Sequence, residues 1–86
     1  TPEIRVEAPE AEKFEIVARA VQAFSEDHDV IDVDGVRVLF DGGWGLLRAS
    51  NTQPVLVLRY EARTEAQLKA IRTTMESWLK SQGIEP

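Results

Sequence analysis

The chain contains no cysteine among its 86 residues, so neither a disulfide nor a thiolate-held metal can brace it. That composition fits a reducing compartment. Its apolar runs extend over only a few residues, which leaves no candidate for a membrane-spanning helix or for the apolar stretch of a secretory signal. The chain opens at Thr1 rather than methionine, and so reads as a processed or excised piece. Histidine occurs once, as His28 in "SEDHDV". A general base needs a positioned partner and a pocket. Neither is legible there, and His28 is expected to be a solvated loop residue. No serine sits in a G-x-S-x-G elbow, so no catalytic residue is assigned. Positive charge is scarce as well, with 10 Lys and Arg against 15 Asp and Glu and a net charge of −5. Such a chain repels a nucleic-acid backbone. No nucleic-acid partner and no membrane partner are expected.

What is present is enough for a core. With 43% hydrophobic residues and two tryptophans, the chain reads as a packed globule rather than a disordered segment. Its length suits one domain, residues 1–86, near the small end of folds that are stable alone. In "EIRVEAP" the residues Ile4 and Val6 alternate with charged ones, the pattern of a half-buried strand. Pro9 suits the first turn of a helix, and the acids after it favour the positive end of the helix dipole. Phe14, Val17, Ala18, Val21 and Phe24 then recur at helical spacing and predict a core-facing stripe. "SEDHD" ends that helix. "VIDVDGVRVLF" reads as two strands around a two-residue turn at Asp34-Gly35. "DGG" makes the next turn, and "WGLLRA" returns as a further strand. After "SNTQP", the run "VLVLRYEA" is apolar from Val55 to Leu58, which predicts an inner strand buried on both sides. The last helix opens on Thr64 and Gln67 in capping-box spacing. It buries Leu68, Ile71, Met75, Trp78 and Leu79, and it stops at Gly83. The order β-α-β-β-β-β-α predicts an α+β fold: an antiparallel sheet with two helices on one face.

Two other chemistries fit poorly. Asp32, Asp34 and Gly35 match part of a calcium-binding loop, but Val30 falls at the first ligand position and Asp41, not glutamate, at the twelfth. No metal ligand is assigned. An RNA-binding sheet would expose stacking aromatics on its central strands, where this chain has Val and Leu, with Tyr60 the only aromatic in the last strand.

One stretch has the residues for anion binding. From Gly42 to Tyr60 there are 19 residues without a single Asp or Glu. Strands generally carry few acids, so this is either a plain strand bias or a site kept clear of negative charge. Within it, "RASNTQPVLVLR" places Arg48 before Ser50, Asn51 and Thr52, and Arg59 in the strand beyond. A phosphate dianion takes an arginine fork together with hydroxyl, amide and backbone N–H donors. The plainer alternative is a polar loop whose side chains satisfy their own backbone.

The segment "DGVRVLFDGGWGLLRASNTQPVLVLRYEA" resembles the C-terminal domain of the α-D-phosphohexomutases, specifically the bacterial phosphomannomutase/phosphoglucomutase group. The likeness extends over essentially the whole chain, and its R-x-S-N-T-x-P loop is the specific part. Phosphoglucosamine mutases are similar but usually read "SGTEP". The resemblance implies a TATA-binding-protein-like α+β fold. It also implies a cytoplasmic, four-domain parent that interconverts hexose 1- and 6-phosphates through a glucose or mannose bisphosphate. The phosphoserine and the Mg²⁺ of that parent belong to another of its three remaining domains, so no cofactor is expected here. By resemblance, Arg48, Ser50, Asn51, Thr52 and Arg59 contact the substrate's non-reacting phosphate, and the chain alone is not catalytic. The alternative is a noncatalytic module that binds protein or nucleic acid.

Overall fold

Strand β1 (Ile4–Glu7) forms where Ile4 and Val6 alternate with charged residues. Then come α1 (Lys13–Ser25), β2 (Val30–Ile31), β3 (Val36–Phe40), β4 (Gly43–Ala49), β5 (Val55–Ala62) and α2 (Glu65–Ser81), in a computed structural model that describes residues 1–86. The predicted order β-α-β-β-β-β-α holds, and all strand pairings are antiparallel. Across the sheet the strands run β1-β5-β4-β3-β2. The apolar run of β5 therefore lies between β1 and β4, as its composition predicts.

Successive strand residues point to opposite faces, and the two faces differ sharply. Val6, Val36, Val38, Leu47, Ala49, Leu56, Leu58 and Tyr60 turn to one side and are buried. Ile16, Ala20 and Phe24 of α1 and Ile71, Met75 and Leu79 of α2 close over them. Full burial of such side chains contributes about 1.5–3 kcal/mol each, which makes this layer the main source of stability. The rings of Phe24 and Trp78, 5.5 Å apart, join the two helices. No helix covers the opposite sheet face.

Helix α2 begins and ends where its sequence says. The Gln67 N–H donates to Thr64 Oγ1 at 3.1 Å, and the Thr64 hydroxyl donates to Gln67 Oε1 at 3.2 Å. At the other end Gly83 adopts φ +84°, its N–H donates to the Lys80 carbonyl, and the Ile84 N–H donates to that of Leu79. That pair of bonds is a Schellman stop, and the buried Ile84 supplies its hydrophobic contact.

Four expectations need correction. Pro9 leads a separate turn, accepting from the Glu12 and Lys13 N–H groups, and α1 starts only at Lys13. The buried row of α1 is Lys13, Ile16, Ala20 and Phe24, with Val17 and Val21 at its margin, while Phe14 is 57% exposed and Ala18 is also outside. At the Asp34-Gly35 hairpin, a two-residue turn would oppose Val33 to Val36. The observed register instead opposes Val30 to Val38 and Ile31 to Arg37, one residue away. A slip of one residue exchanges faces. Here it keeps Val30 toward the core and leaves Ile31 and Val33 exposed. The same register continues toward the helix, where the Leu39 N–H donates to the Asp29 carbonyl in the turn that follows α1. Finally, His28 is half-buried rather than freely solvated. Its ring lies 4.6 Å from Phe40 and 6.3 Å from Phe24, and its buried Nδ1 has no partner.

Candidate functional site

The loop of interest, Ser50–Pro54, joins β4 to β5 after the last ladder pair, Ala49 with Leu56. It is closed from within. The Ser50 N–H donates to the Val55 carbonyl at 3.0 Å, and the Val55 N–H donates to that of Gln53 at 2.8 Å. Ser50 Oγ accepts from the Thr52 and Gln53 N–H groups at 3.3 and 3.2 Å. Two backbone donors that could face an anion are thus turned onto Ser50, as in the plainer alternative. The Ser50 hydroxyl keeps its own proton to donate. Asn51 and Thr52 are exposed at the tip.

A second layer holds the loop from behind. The Ala8 N–H donates to the Pro54 carbonyl at 2.9 Å. Lys13 is only 2% exposed, and its Nζ donates to the Gln53 carbonyl at 3.0 Å and pairs with Glu10 at 2.5 Å. A buried lysine is costly unless its charge is matched and hydrogen-bonded. Both conditions are met here, by the loop and by the turn ahead of α1. Lys13 belongs to no catalytic or anion-binding motif in the sequence. The available signal was its spacing, since it continues the Ile16–Ala20–Phe24 row toward the amino end of α1.

Arg48 and Arg59 point the same way. In the β4–β5 ladder Arg48 opposes Val57 and Arg59 opposes Leu46, so the two arginines are diagonal neighbours about 7 Å apart at Cβ. Both stand on the helix-free face, because their in-line neighbours Leu47, Leu58 and Tyr60 fill the core. Arg48 approaches Glu3 at 3.4 Å, a long and half-exposed pair, while Arg59 is exposed and takes part in no ion pair. Arg5, which the sequence did not single out, lies on the same face opposite Val57, and its guanidinium donates to Gln53 Oε1. On the helix side of the loop, a cleft of about 240 Å³ is lined by Phe14, Val17, Asp34, Gly35, Arg48, Ala49 and Asn51. Four of the five candidate residues, Arg48 and Ser50 to Thr52, therefore belong to one strand end and loop, and the fifth is brought beside them by the hairpin.

One other polar grouping lies elsewhere. Tyr60 is buried, and its hydroxyl donates to Glu76 Oε2 at 3.1 Å while Arg72 Nε donates to the same oxygen at 2.7 Å. Burial first, and then the Glu76 charge and hydrogen bond, push the Tyr60 phenol well above its ordinary range, with Arg72 opposing. Facing the helices, this ring is not on the exposed sheet surface. No three His, Asp or Glu side chains converge on a common point, so no residues here fit the Mg²⁺ of the implied parent.

A family model described as phosphoglucomutase/phosphomannomutase, C-terminal domain, matches residues 3–77, which include the whole loop and both of its arginines. The chain belongs to that family. A phosphomannomutase/phosphoglucomutase of Pseudomonas aeruginosa strain PAO1 is 47% identical to this phosphohexomutase domain over 83 residues, 94% of the chain and 18% of that protein. A phosphoglucomutase of Neisseria gonorrhoeae is 39% identical over 84 residues, again 94% of the chain and 18% of that protein. Among solved structures, a phosphoglucomutase/phosphomannomutase family protein from Burkholderia thailandensis superposes with a TM-score of 0.72 at 32% identity, covering 94% of this chain and 17% of that one. The chain thus spans less than a fifth of the length of the relatives it matches. Its antiparallel sheet with two helices is the α+β fold of a phosphohexomutase C-terminal domain.

Proposed function

We propose that this domain holds the non-reacting phosphate of a hexose phosphate within a phosphomannomutase/phosphoglucomutase. Arg48, Ser50, Asn51, Thr52 and Arg59 form the cradle. The observation that carries this reading is the placement of Arg48 and Arg59 on one helix-free face, beside a loop pinned from behind by Lys13. Arg48 offers a planar fork, the Ser50 hydroxyl, Asn51 amide and Thr52 hydroxyl fill further oxygens, and Arg59 closes the far side. On binding, the Thr52 and Gln53 N–H groups turn from Ser50 Oγ toward the anion.

The parent reaction interconverts hexose 1- and 6-phosphates through a sugar bisphosphate that must reverse its orientation between two phosphoryl transfers. A distal site must then accept a phosphate from either end of the sugar. A cradle that reads the phosphate and ignores the ring suits that task. Binding energy gathered there, away from the reacting centre, orients the sugar for transfer. The phosphoserine and the Mg²⁺ that supply the transfer chemistry belong to another domain of a cytoplasmic parent, and the isolated chain is noncatalytic.

The test is a titration of the 86-residue chain with glucose 1-phosphate, followed by amide NMR shifts. Saturable, millimolar-range shifts are expected at Ser50 to Gln53, and Arg48→Ala abolishes them. Shifts confined to α1 and α2, or none beyond a matched-salt control, overturn the proposal in favour of an interaction module. Turnover of sugar phosphate by the chain with Mg²⁺ overturns the assignment of the chemistry to another domain.

A further inference from the structure

Val57 is 2% exposed although it stands on the sheet face that has no helix. Its cover must therefore come from neighbours on that face. In register these are Arg5 on β1 and Arg48 on β4, and Arg59 follows two residues along β5. Neighbouring strands lie about 4.8 Å apart, so Arg5 and Arg48 start about 10 Å apart across β5. Their long stems can lie over an apolar side chain while the charged heads remain in water. Three arginines thus surround one valine at the mouth of the Ser50–Pro54 loop.

Their charge is poorly matched within the chain. Arg5 joins none of the four ion pairs. Its partner is the neutral Gln53 side chain, one residue past Thr52 in the loop. Glu7 shares the β1 edge but forms no ion pair, and Glu3 reaches Arg48 only at 3.4 Å. Glu3 and Glu7 lie two residues either side of Arg5, yet neither pairs with it, which leaves its charge open to a bound anion. The Gln53 carbonyl is meanwhile held by Lys13, so Arg5 can leave the Gln53 amide without loosening the loop.

We propose that Arg5 is a third arginine of the phosphate site, parked on Gln53 in the free domain and transferred to the bound phosphate. This rests on the cradle reading above and extends it to the β1 edge. Its ligand is the dianionic phosphate monoester of a sugar, gripped from opposite sides by Arg48 and Arg5. A monoanion, with less charge to share among three guanidinium groups, binds less tightly.

The experiment compares the wild-type chain, Arg5→Gln and Arg5→Lys in titrations with glucose 1-phosphate at low and moderate salt. Amide shifts report the loop, and the Arg5 Nε–H resonance reports the side chain. In the wild type that resonance should shift with the same midpoint as the Ser50–Gln53 amides. Arg5→Gln should weaken binding by about tenfold, the effect of one charge-assisted hydrogen bond at a part-exposed site, and should flatten the salt dependence. Arg5→Lys should recover part of the affinity. Arg5 is exposed, so the variants should keep the wild-type amide spectrum outside the loop. Wild-type binding with an unchanged Arg5→Gln midpoint and a silent Arg5 resonance overturns the role of Arg5 alone. Absence of wild-type binding overturns the cradle and Arg5 together.

Discussion

Replacing Lys13 with methionine isolates what a buried charge does for a loop 40 residues away. The methionine keeps a stem of similar length in the slot but removes the ammonium group. Two interactions disappear. The Glu10 pair contributes little, because that carboxylate is 62% exposed and water replaces its partner. The hydrogen bond to the Gln53 carbonyl matters more. Leaving a fully buried acceptor unmatched costs about 1–3 kcal/mol, but Gln53 is an exposed loop residue and its carbonyl also accepts from the Val55 N–H at 2.8 Å, which places the cost at the low end of that range. Desolvation works the other way, since the variant no longer buries an ammonium group. The net expectation is a loss of about 1 kcal/mol, or about 4–8 °C in Tm for a domain of this size. Urea unfolding measures the global part. Hydrogen exchange at Val55 measures the local part, and its protection should fall by more than the global loss. A Lys13→Met chain with unchanged Val55 exchange and an unchanged urea midpoint would refute the claim that Lys13 holds the loop.

Tyr60→Phe removes a donor to Glu76 while Arg72 remains, so a loss of about 1 kcal/mol is expected in urea unfolding. The Tyr60 phenol titrates above its unfolded value of about 10, so between the two values the native state holds a proton that the unfolded state has lost. Stability therefore falls as pH rises above about 10, by up to about 1.4 kcal/mol per unit from this group, and Tyr60→Phe should remove that slope. Gly45→Ala puts a methyl group into the Met75 sulfur beneath α2. Overpacking of this kind costs about 1–3 kcal/mol, so a lower Tm is expected, and an unchanged one would mean that the core under α2 yields freely.

The elements that local rules specify were legible. Thr64, Gln67 and Gly83 bound α2 through hydrogen bonds within a few residues of each other, so no distant contact was needed to place its ends. The apolar run at Val55 marked an inner strand for a similar reason. Helix α1 was legible as a helix but not in its facing. Hydrophobic periodicity counts Phe14 toward the core and a lysine toward water, yet Phe14 lies outside and Lys13 inside. What holds Lys13 inside is its hydrogen bond to the Gln53 carbonyl and its pair with Glu10, contacts that no local pattern announces. The Asp34-Gly35 turn was legible in place but not in register, because register depends on which of Val30 and Ile31 meets the core beside α1.

By itself, then, the sequence determined the kinds and order of the elements, the absence of acids from Gly42 to Tyr60, and the "RASNT" loop. Those follow from chain-local chemistry: propensity, capping, and residue type. Which way Arg59 points was decided only by the tertiary structure. Strand alternation ties Arg59 to Val57 but does not say which side of the sheet the helices cover. Only the packing of α1 and α2 on the Leu56–Leu58–Tyr60 side, and the register that sets Arg48 opposite Val57, put the two arginines on one face. The same packing leaves Arg5 across from them, where no local pattern would have placed it.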